Sequence, residues 1–133
     1  MTPLILLVDD DSDFLDIHRH ILETHEYRVT AATSVGEAVD RMAAERPDAV
    51  VTDLMMDRLD AGFSLARRIK EDARFAGIPV IIVTAAHKRL GVDLRPKGPG
   101  DLTAMGADAW FQKPVPAQAL LDTLRALLSK ARP

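Results

Sequence analysis

The stretch LILLVDDDSD, residues 4–13, decides the fold class of this chain. Five apolar residues, Leu4–Val8, run directly into three aspartates, and Asp11 or Ser12 can then cap a helix. A short apolar run without polar alternation is typical of a strand that is buried on both faces. A buried strand followed at once by a capped helix predicts the first β-α unit of a parallel sheet.

The same alternation of short apolar runs and helical segments continues to the end of the chain. The predicted strands are Leu4–Val8, Tyr27–Ala32, Asp48–Thr52, Pro79–Val83 and Ala109–Phe111. The predicted helices run from the Asp11 or Ser12 cap to about His25, from the capping box Ser34-Val-Gly-Glu37 to about Glu45, from Gly62 to about Arg74, and over Pro116–Lys130. We therefore expect an α/β fold, a doubly wound parallel sheet with helices on both faces.

One stretch, residues 85–105, departs from this alternation. Its helical periodicity is broken at Gly91, Pro96, Gly98, Pro99 and Gly100. A helix could run from about Gly100 to Met105. Loops of this length in compact domains are usually functional or mobile. We expect an irregular region here, between the fourth strand and the helix that follows it.

The composition limits the classes of function. The 133 residues include 17 basic and 20 acidic side chains, a net charge of −3, and a mildly acidic chain is a poor candidate for nucleic-acid binding. The absence of Cys excludes disulfides, zinc thiolate sites and cysteine nucleophiles. The apolar runs are too short to span a membrane, and no secretory signal is visible. We expect one cytoplasmic domain over residues 1–133.

Polar side chains stand at the carboxyl ends of four predicted strands, the edge at which open parallel sheets bind ligands. In chain order they are Asp9, Asp10, Asp11, Asp53, Thr84 and Lys113. Carboxylates held together repel one another, so a cation should share the site. Oxygen ligands suit Mg²⁺, and phosphate oxygens would complete its coordination shell. This inventory favours phosphoryl transfer, with one carboxylate as the acceptor.

Four motifs now make a family resemblance specific. They are VDDD at Val8–Asp11, TDLMM at Thr52–Met56, IIVTAA at Ile81–Ala86 and KP at Lys113–Pro114. Together, and in this order, they resemble the receiver domains of two-component response regulators, the CheY-like family. The resemblance covers essentially the whole chain. It implies a flavodoxin-like sheet of five strands in the order 2-1-3-4-5.

The resemblance also implies a metal site. Asp9 and Asp10 would be the acidic pair that holds Mg²⁺, with Asp10 a direct ligand and Asp9 acting largely through water. Asp53 and the backbone carbonyl of Met55 would complete the protein's share of the metal shell.

In the same way the resemblance implies a phosphoryl site and a switch. Asp53 would be the phosphoacceptor, and Thr84 and Lys113 would bind the phosphoryl group. The peptide bond from Lys113 to Pro114 would be cis. Thr84 and Trp110 would form the conformational switch, with Trp110 at the position of the family's switch aromatic.

Three features depart from the usual receiver pattern. Trp110 stands where Tyr or Phe is more common. The loop after Asp53 carries the extra acidic residues Asp57 and Asp60. The interval from Thr84 to Lys113 is several residues longer than is usual, so the fourth of the family's five helices should be shortened, displaced or preceded by an insert. These departures affect the expected readout more than the phosphoryl chemistry.

The function that the resemblance implies is phosphoryl acceptance from a histidine kinase or phosphotransfer protein. The signal would pass to a downstream protein target or a fused output domain, with no direct nucleic-acid or membrane partner. The chain would not be an enzyme beyond its own phosphoryl transfer and dephosphorylation. One alternative is a constitutive interaction module that no longer switches. Another is a small phosphatase, for which turnover of a phosphoester would be the test. DDDS at residues 9–12 also resembles the opening motif of haloacid-dehalogenase-type phosphatases, but the later acidic pair that those enzymes need is not found in this sequence, and we expect no such turnover.

The remaining candidate ligands have simpler interpretations. His18, His20, His25 and His87 show no i,i+4 pairing with one another and are interpreted as surface or capping residues. The predicted apolar side of the first helix consists of Phe14, Leu15, Ile17, Ile21 and Leu22. An EF-hand loop beginning at Asp9 is rejected, because its sixth and twelfth positions would be Phe and His rather than Gly and Glu.

Overall fold

The computed structural model describes residues 2–53, 61–84 and 106–131, without the side chains of residues 61–63 and 131. In chain order, the elements are β1 (Leu4–Val8), α1 (Ser12–Thr24), β2 (Arg28–Ala32), α2 (Val35–Ala44), β3 (Ala49–Thr52), α3 (Ala61–Glu71), β4 (Val80–Thr84), β5 (Ala109–Gln112) and α4 (Ala117–Ala131). The predicted irregular region at residues 85–105, with its possible helix from Gly100 to Met105, lies outside the described residues.

The described strands form one five-stranded sheet in the order β2-β1-β3-β4-β5. All four neighbouring pairs are parallel. The strand β1 lies between β2 and β3, so that Leu6 is opposite Thr30 on one side and Val50 on the other. The predicted doubly wound sheet and its strand order are confirmed.

Alternate residues of the central strands supply two separate cores, one on each face of the sheet. Ile5 and Leu7 of β1 pack into a cluster with side chains of α1 and α4. Leu6 and Val8 pack into the other cluster, with side chains of α2 and α3. Because the side chains of a strand alternate between faces, an unbroken apolar run is needed to serve both cores. All five residues of β1 are buried.

Local hydrogen bonds fix where the first two helices begin. Of the two possible caps of α1, Asp11 is the one used, since its carboxylate accepts hydrogen bonds from the backbone N–H groups of Asp13 and Phe14. The predicted capping box of α2 is present in its serine half, whereas its glutamate accepts from the residue before the cap. The Ser34 hydroxyl accepts from the Glu37 N–H, and the Glu37 carboxylate accepts from the neighbouring Thr33 N–H.

Two predictions for α1 were wrong. Ile17 is 57% exposed rather than part of the core. His18, predicted to be a surface or capping residue, is buried. The buried stripe of α1 runs along Phe14, His18 and Leu22, which are four residues apart and therefore lie on one face, whereas Ile17 falls outside this line. A ring with one polar edge can occupy such a position because its Nδ1 atom is 3.0 Å from the Phe14 carbonyl oxygen.

Candidate functional site

The sheet ladder positions the functional side chains just beyond the ends of the strands. The Asp53 N–H donates to the Val8 carbonyl oxygen at 2.8 Å, and the Lys113 N–H donates to the Thr84 carbonyl oxygen at 2.9 Å. The Asp9 N–H likewise donates to the backbone of β2. Since each of these residues remains in the hydrogen-bonded ladder, its side chain is held at the sheet edge rather than on a free loop.

Three carboxylates meet at this edge. Asp9 and Asp53 are buried and Asp10 is exposed, and one carboxylate oxygen from each lies within 4.8 Å of the other two. Oxygen donors at this spacing, one of them open to solvent, fit a hard divalent cation such as Mg²⁺, which keeps part of its water shell. The backbone carbonyl of Met55, the fourth predicted ligand, lies outside the described residues.

Lys113 places a positive charge against two of these carboxylates. Its Nζ atom lies 2.7 Å from Asp9 Oδ2 and 3.4 Å from Asp53 Oδ2. The shorter contact is a charge-assisted hydrogen bond, whereas the longer one is a weaker contact. The Lys113 side chain is 16% exposed. The peptide bond between Lys113 and Pro114 is cis, as predicted.

Burial changes the acidity of Asp9. Desolvation raises the pKa of Asp9 to about 6, because it outweighs the lowering by the Lys113 ammonium and the Asp11 N–H, and the charge of Asp53 raises it further. The Asp11 N–H donates to Asp9 Oδ1 at 2.9 Å. In the absence of a metal ion, the cluster is therefore partly protonated near pH 6.

The structure also locates the two residues predicted to switch. Thr84 is buried and is the last residue of β4, one residue beyond the predicted end of that strand. Trp110 is half-buried on β5, opposite Ile82 of β4. Its neighbours Ala109 and Phe111 pack towards the core shared with α1 and α4, so the indole lies on the other face of the sheet. Trp110 Nε1 is buried, and the described part of the chain offers it no hydrogen-bond partner.

Two aromatic residues of the site were not identified from the sequence. Lys113 Nζ lies 4.4 Å from the centroid of the Phe14 ring. The ring of His18 stacks on Phe14, with centroids 3.9 Å apart and an interplanar angle of 24°. Burial lowers the pKa of His18, and the nearby Lys113 ammonium lowers it further. The only signal in the sequence was the four-residue spacing of Phe14 and His18, which is equally typical of an ordinary core face.

Comparisons with known proteins agree on one family. The family model described as "Response regulator receiver domain" matches residues 5–125. A relative named "Response regulator MprA", from Mycobacterium bovis BCG, is 38% identical over 133 residues, which cover all of this chain and 54% of that protein. The chain thus spans about half the length of the curated relatives it matches.

Solved structures give the same result. The signal receiver domain of a signal transduction histidine kinase from Syntrophus aciditrophicus is 29% identical, with a TM-score of 0.79 over 97% of this chain and 92% of that one. A CheY-like receiver domain protein from Methanospirillum hungatei is 25% identical, with a TM-score of 0.81 over 98% of this chain and 97% of that one. Within the described residues, no helix is long and apolar enough to cross a membrane.

Proposed function

The chain belongs to the receiver-domain family of response regulators, and from that premise we propose that it accepts a phosphoryl group on Asp53. The observation that carries this proposal is the setting of the Asp53 carboxylate. It is 2% exposed, lies within 4.8 Å of the Asp9 and Asp10 carboxylates, and is approached by the Lys113 ammonium. Asp9 shares this setting, with the Lys113 ammonium at 2.7 Å, and it is the family resemblance of the TDLMM motif that gives the acceptor role to Asp53 rather than to Asp9.

In the proposed reaction, a carboxylate oxygen of Asp53 forms a bond to phosphorus. The bond from phosphorus to a nitrogen of the donor histidine breaks, and that nitrogen leaves with the electron pair. The donor would be a histidine kinase or a phosphotransfer protein. The reaction needs mainly alignment and neutralisation of charge, both of which the site can supply. The product is an acyl phosphate, and the chain acts as an acceptor rather than as an enzyme with turnover.

The acidic cluster supports a requirement for Mg²⁺. Asp9, Asp10 and Asp53 would hold the ion, and the Met55 carbonyl is proposed as a further ligand on the resemblance alone. When bound, Mg²⁺ would neutralise the carboxylates and the incoming phosphoryl oxygens. Since Asp9 is half-protonated at about pH 6, metal binding must displace a proton there at lower pH.

Lys113 and Thr84 are proposed to bind the new phosphoryl group. The Lys113 ammonium already lies beside Asp53, so a small movement would bring it to a phosphoryl oxygen. The Thr84 hydroxyl, at the end of the neighbouring strand, would donate to the same group. A shift of Thr84 and Trp110 would then favour a second conformation of the domain, which a downstream protein or a fused output domain reads. Residues 1–133 as a single receiver domain, and a cytoplasmic location, remain predictions.

The proposal is tested by intact mass after incubation with acetyl phosphate, with and without Mg²⁺. We expect a single phosphoryl adduct that requires Mg²⁺ in the wild type and is absent in Asp53→Asn. The matched control is Asp122→Asn, the same change on α4, where the carboxylate contacts only Gln118 in the described hydrogen bonds. An adduct that persists in Asp53→Asn would reject Asp53 as the acceptor. No adduct in folded wild type, repeated with a phosphorylated kinase as donor, would favour the constitutive interaction module.

A further inference from the structure

We propose that Phe14 is a positioning residue for the phosphoryl site, whose ring holds the Lys113 ammonium in place through a cation–π contact. The inference deepens the proposed function, since it concerns the lysine that would bind the phosphoryl group. It starts from the distance of 4.4 Å between Lys113 Nζ and the centroid of the Phe14 ring. This distance is well inside the range over which a ring attracts a cation.

The lysine needs such a partner because its side chain is long and its other contacts depend on charge. Four rotatable bonds give lysine considerable conformational freedom, and holding it in one place has an entropic cost. Its described carboxylate partners are Asp9 and Asp53, at 2.7 and 3.4 Å. Both would change their charge or ligands when metal and phosphoryl group arrive. The Phe14 ring is chemically unaltered by those events, so the contact can persist through the reaction.

The ring is itself held in position from several sides. Phe14 is 8% exposed and lies in the first turn of α1, directly after the aspartate loop. Its backbone N–H is directed at the carboxylate of Asp11, the helix cap. Its ring is stacked on His18, and the His18 Nδ1 atom lies 3.0 Å from the Phe14 carbonyl oxygen. A buried ring fixed by its backbone and by a stacked neighbour can orient a flexible lysine.

A second cation–ring contact in the described residues supplies a matched control. The guanidinium of Arg74 lies 4.7 Å from the Phe75 ring, and Phe75 is buried to a similar degree, at 6% exposure. The Arg74 side chain, however, is 65% exposed and forms an ion pair with Asp72. The Phe75 ring packs in the core on the other face of the sheet, with side chains of α2 and α3. The same substitution at Phe14 and at Phe75 therefore removes a comparable amount of packing. Only the substitution at Phe14 also removes a cation–ring contact near the carboxylates.

The test compares Phe14→Leu with Phe75→Leu, at saturating Mg²⁺, by the rate of adduct formation with acetyl phosphate. A contact of this kind at a partly desolvated site predicts a rate about fivefold lower for Phe14→Leu, and an unchanged rate for Phe75→Leu. Because leucine also changes packing, fluorinated phenylalanines are introduced at position 14 as a second series. These keep the shape of the ring while weakening its attraction for a cation, so the rate should fall in step with fluorination.

A spectroscopic measurement separates positioning from a merely structural role. The ¹⁵N signal of the Lys113 ammonium should be visible and slow to exchange its protons in the wild type and in Phe75→Leu, and broadened in Phe14→Leu. Unchanged rates and an unchanged lysine signal in Phe14→Leu and the fluorinated series would overturn the inference. If the wild type forms no adduct, the proposed function fails, and the lysine signal still decides whether Phe14 orders Lys113.

Discussion

At the scale of single residues, the burial of Asp9 disfavours its ionised form, which is the form that would bind a metal ion. Its carboxylate is fully buried beside Asp53, and the pKa of Asp9 is raised to about 6 from its ordinary value of 3.8. The folded chain therefore binds this proton more tightly than the unfolded chain. The stabilising effect of the protonated group is complete below pH 3.8 and is lost as the pH rises through about 6.

We therefore expect Asp9→Asn to stabilise the metal-free protein at pH 8. The neutral amide avoids the cost of an ionised buried carboxylate, and the shift of about two pKa units in Asp9 corresponds to at most about 3 kcal/mol in the free energy of unfolding. At pH 4 the two proteins should be equally stable. Urea unfolding at both pH values in EDTA measures the difference. An equal loss of stability at both pH values would show that the Lys113 ion pair outweighs burial.

His18 titrates in the opposite sense. Burial lowers the pKa of His18 below its ordinary value of 6.5, so the unfolded chain binds the proton more tightly. Its contribution to the free energy of unfolding is therefore complete above pH 6.5 and is lost as the pH falls through the lowered pKa. In this way His18 favours folding at neutral pH, where Asp9 opposes it.

The corresponding prediction is that His18→Phe reduces the loss of stability between pH 7.5 and pH 5. The substituted ring keeps an aromatic neighbour for Phe14 but has no proton to gain. His20→Phe is the control, because His20 lies on the exposed side of the same helix. The measurement is urea unfolding with Mg²⁺ held constant. If both variants kept the wild-type slope with pH, the burial of His18 would not be the cause of that part of the pH dependence.

At the scale of elements, two aspartates that precede strands tie those strands to their neighbours. The Asp48 carboxylate accepts from the Leu4 N–H at 2.7 Å, and the Asp48 N–H donates to the Leu4 carbonyl oxygen. Asp108 forms the same pair of hydrogen bonds with Val80. Each aspartate thus supplies a partner for the first N–H of an adjacent parallel strand, which would otherwise lie at the end of the ladder.

Asp108 has a further partner, since the Lys70 ammonium of α3 lies 3.1 Å from the same carboxylate oxygen. We expect Asp108→Ala to lower the free energy of unfolding by about 1–2 kcal/mol, because the Val80 N–H loses its acceptor. Asp108→Asn keeps an acceptor oxygen and removes only the partly exposed ion pair, so it should cost well under 1 kcal/mol. Chemical unfolding of both variants provides the measurement. Equal losses would assign the stabilisation to Lys70 rather than to the strand cap.

The type and order of the strands and helices were predicted better from the sequence than the residues at which they end or the exposure of their side chains. The alternation of strands and helices predicted a parallel sheet, and the strand order was implied by the family resemblance that the four motifs carry. Helix α3 was predicted to reach about Arg74 but ends at Glu71. The Asp72 carboxylate accepts a hydrogen bond from the Arg74 N–H, which forms a turn in place of a further helical turn. The exposure of Ile17 depends on how α1 rotates against the sheet. That rotation is set by tertiary packing and is not readable from apolar spacing alone.

The candidate site likewise has a part that could be predicted from the sequence and a part that could not. Asp9, Asp53 and Lys113 could be placed together, since each follows a strand at one edge of the sheet. The contact between Lys113 and Phe14 could not be predicted, because it joins the first turn of a helix to a residue about a hundred positions away. A phenylalanine on the apolar face of a helix has the same pattern whether or not a cation lies over its ring. Only the position of α1 relative to β5 distinguishes the two cases.

At the scale of the whole molecule, the question is whether a change at Asp53 reaches the far side of the sheet. The route that the fold offers is the pairing of β4 with β5. Thr84 is opposite Gln112, and the Lys113 N–H is bonded to the Thr84 carbonyl oxygen. Trp110 lies on the same strand as Gln112, half-buried, with its Nε1 atom lacking a hydrogen-bond partner in the described residues. An indole in this state can gain a hydrogen bond if it moves.

Trp110 is the only tryptophan of the chain, so its fluorescence reports this movement without interference. We expect acetyl phosphate with Mg²⁺ to change its emission in the wild type but not in Asp53→Asn. Thr84→Ala should still form the adduct while losing most of the fluorescence change, because the hydroxyl that draws β4 towards the phosphoryl group is absent. Thr84→Ser, which keeps the hydroxyl, should retain the change. A complete adduct in the wild type with unaltered emission would mean that phosphorylation leaves Trp110 in place, and the domain would then act through its charged surface rather than through a switch across the sheet.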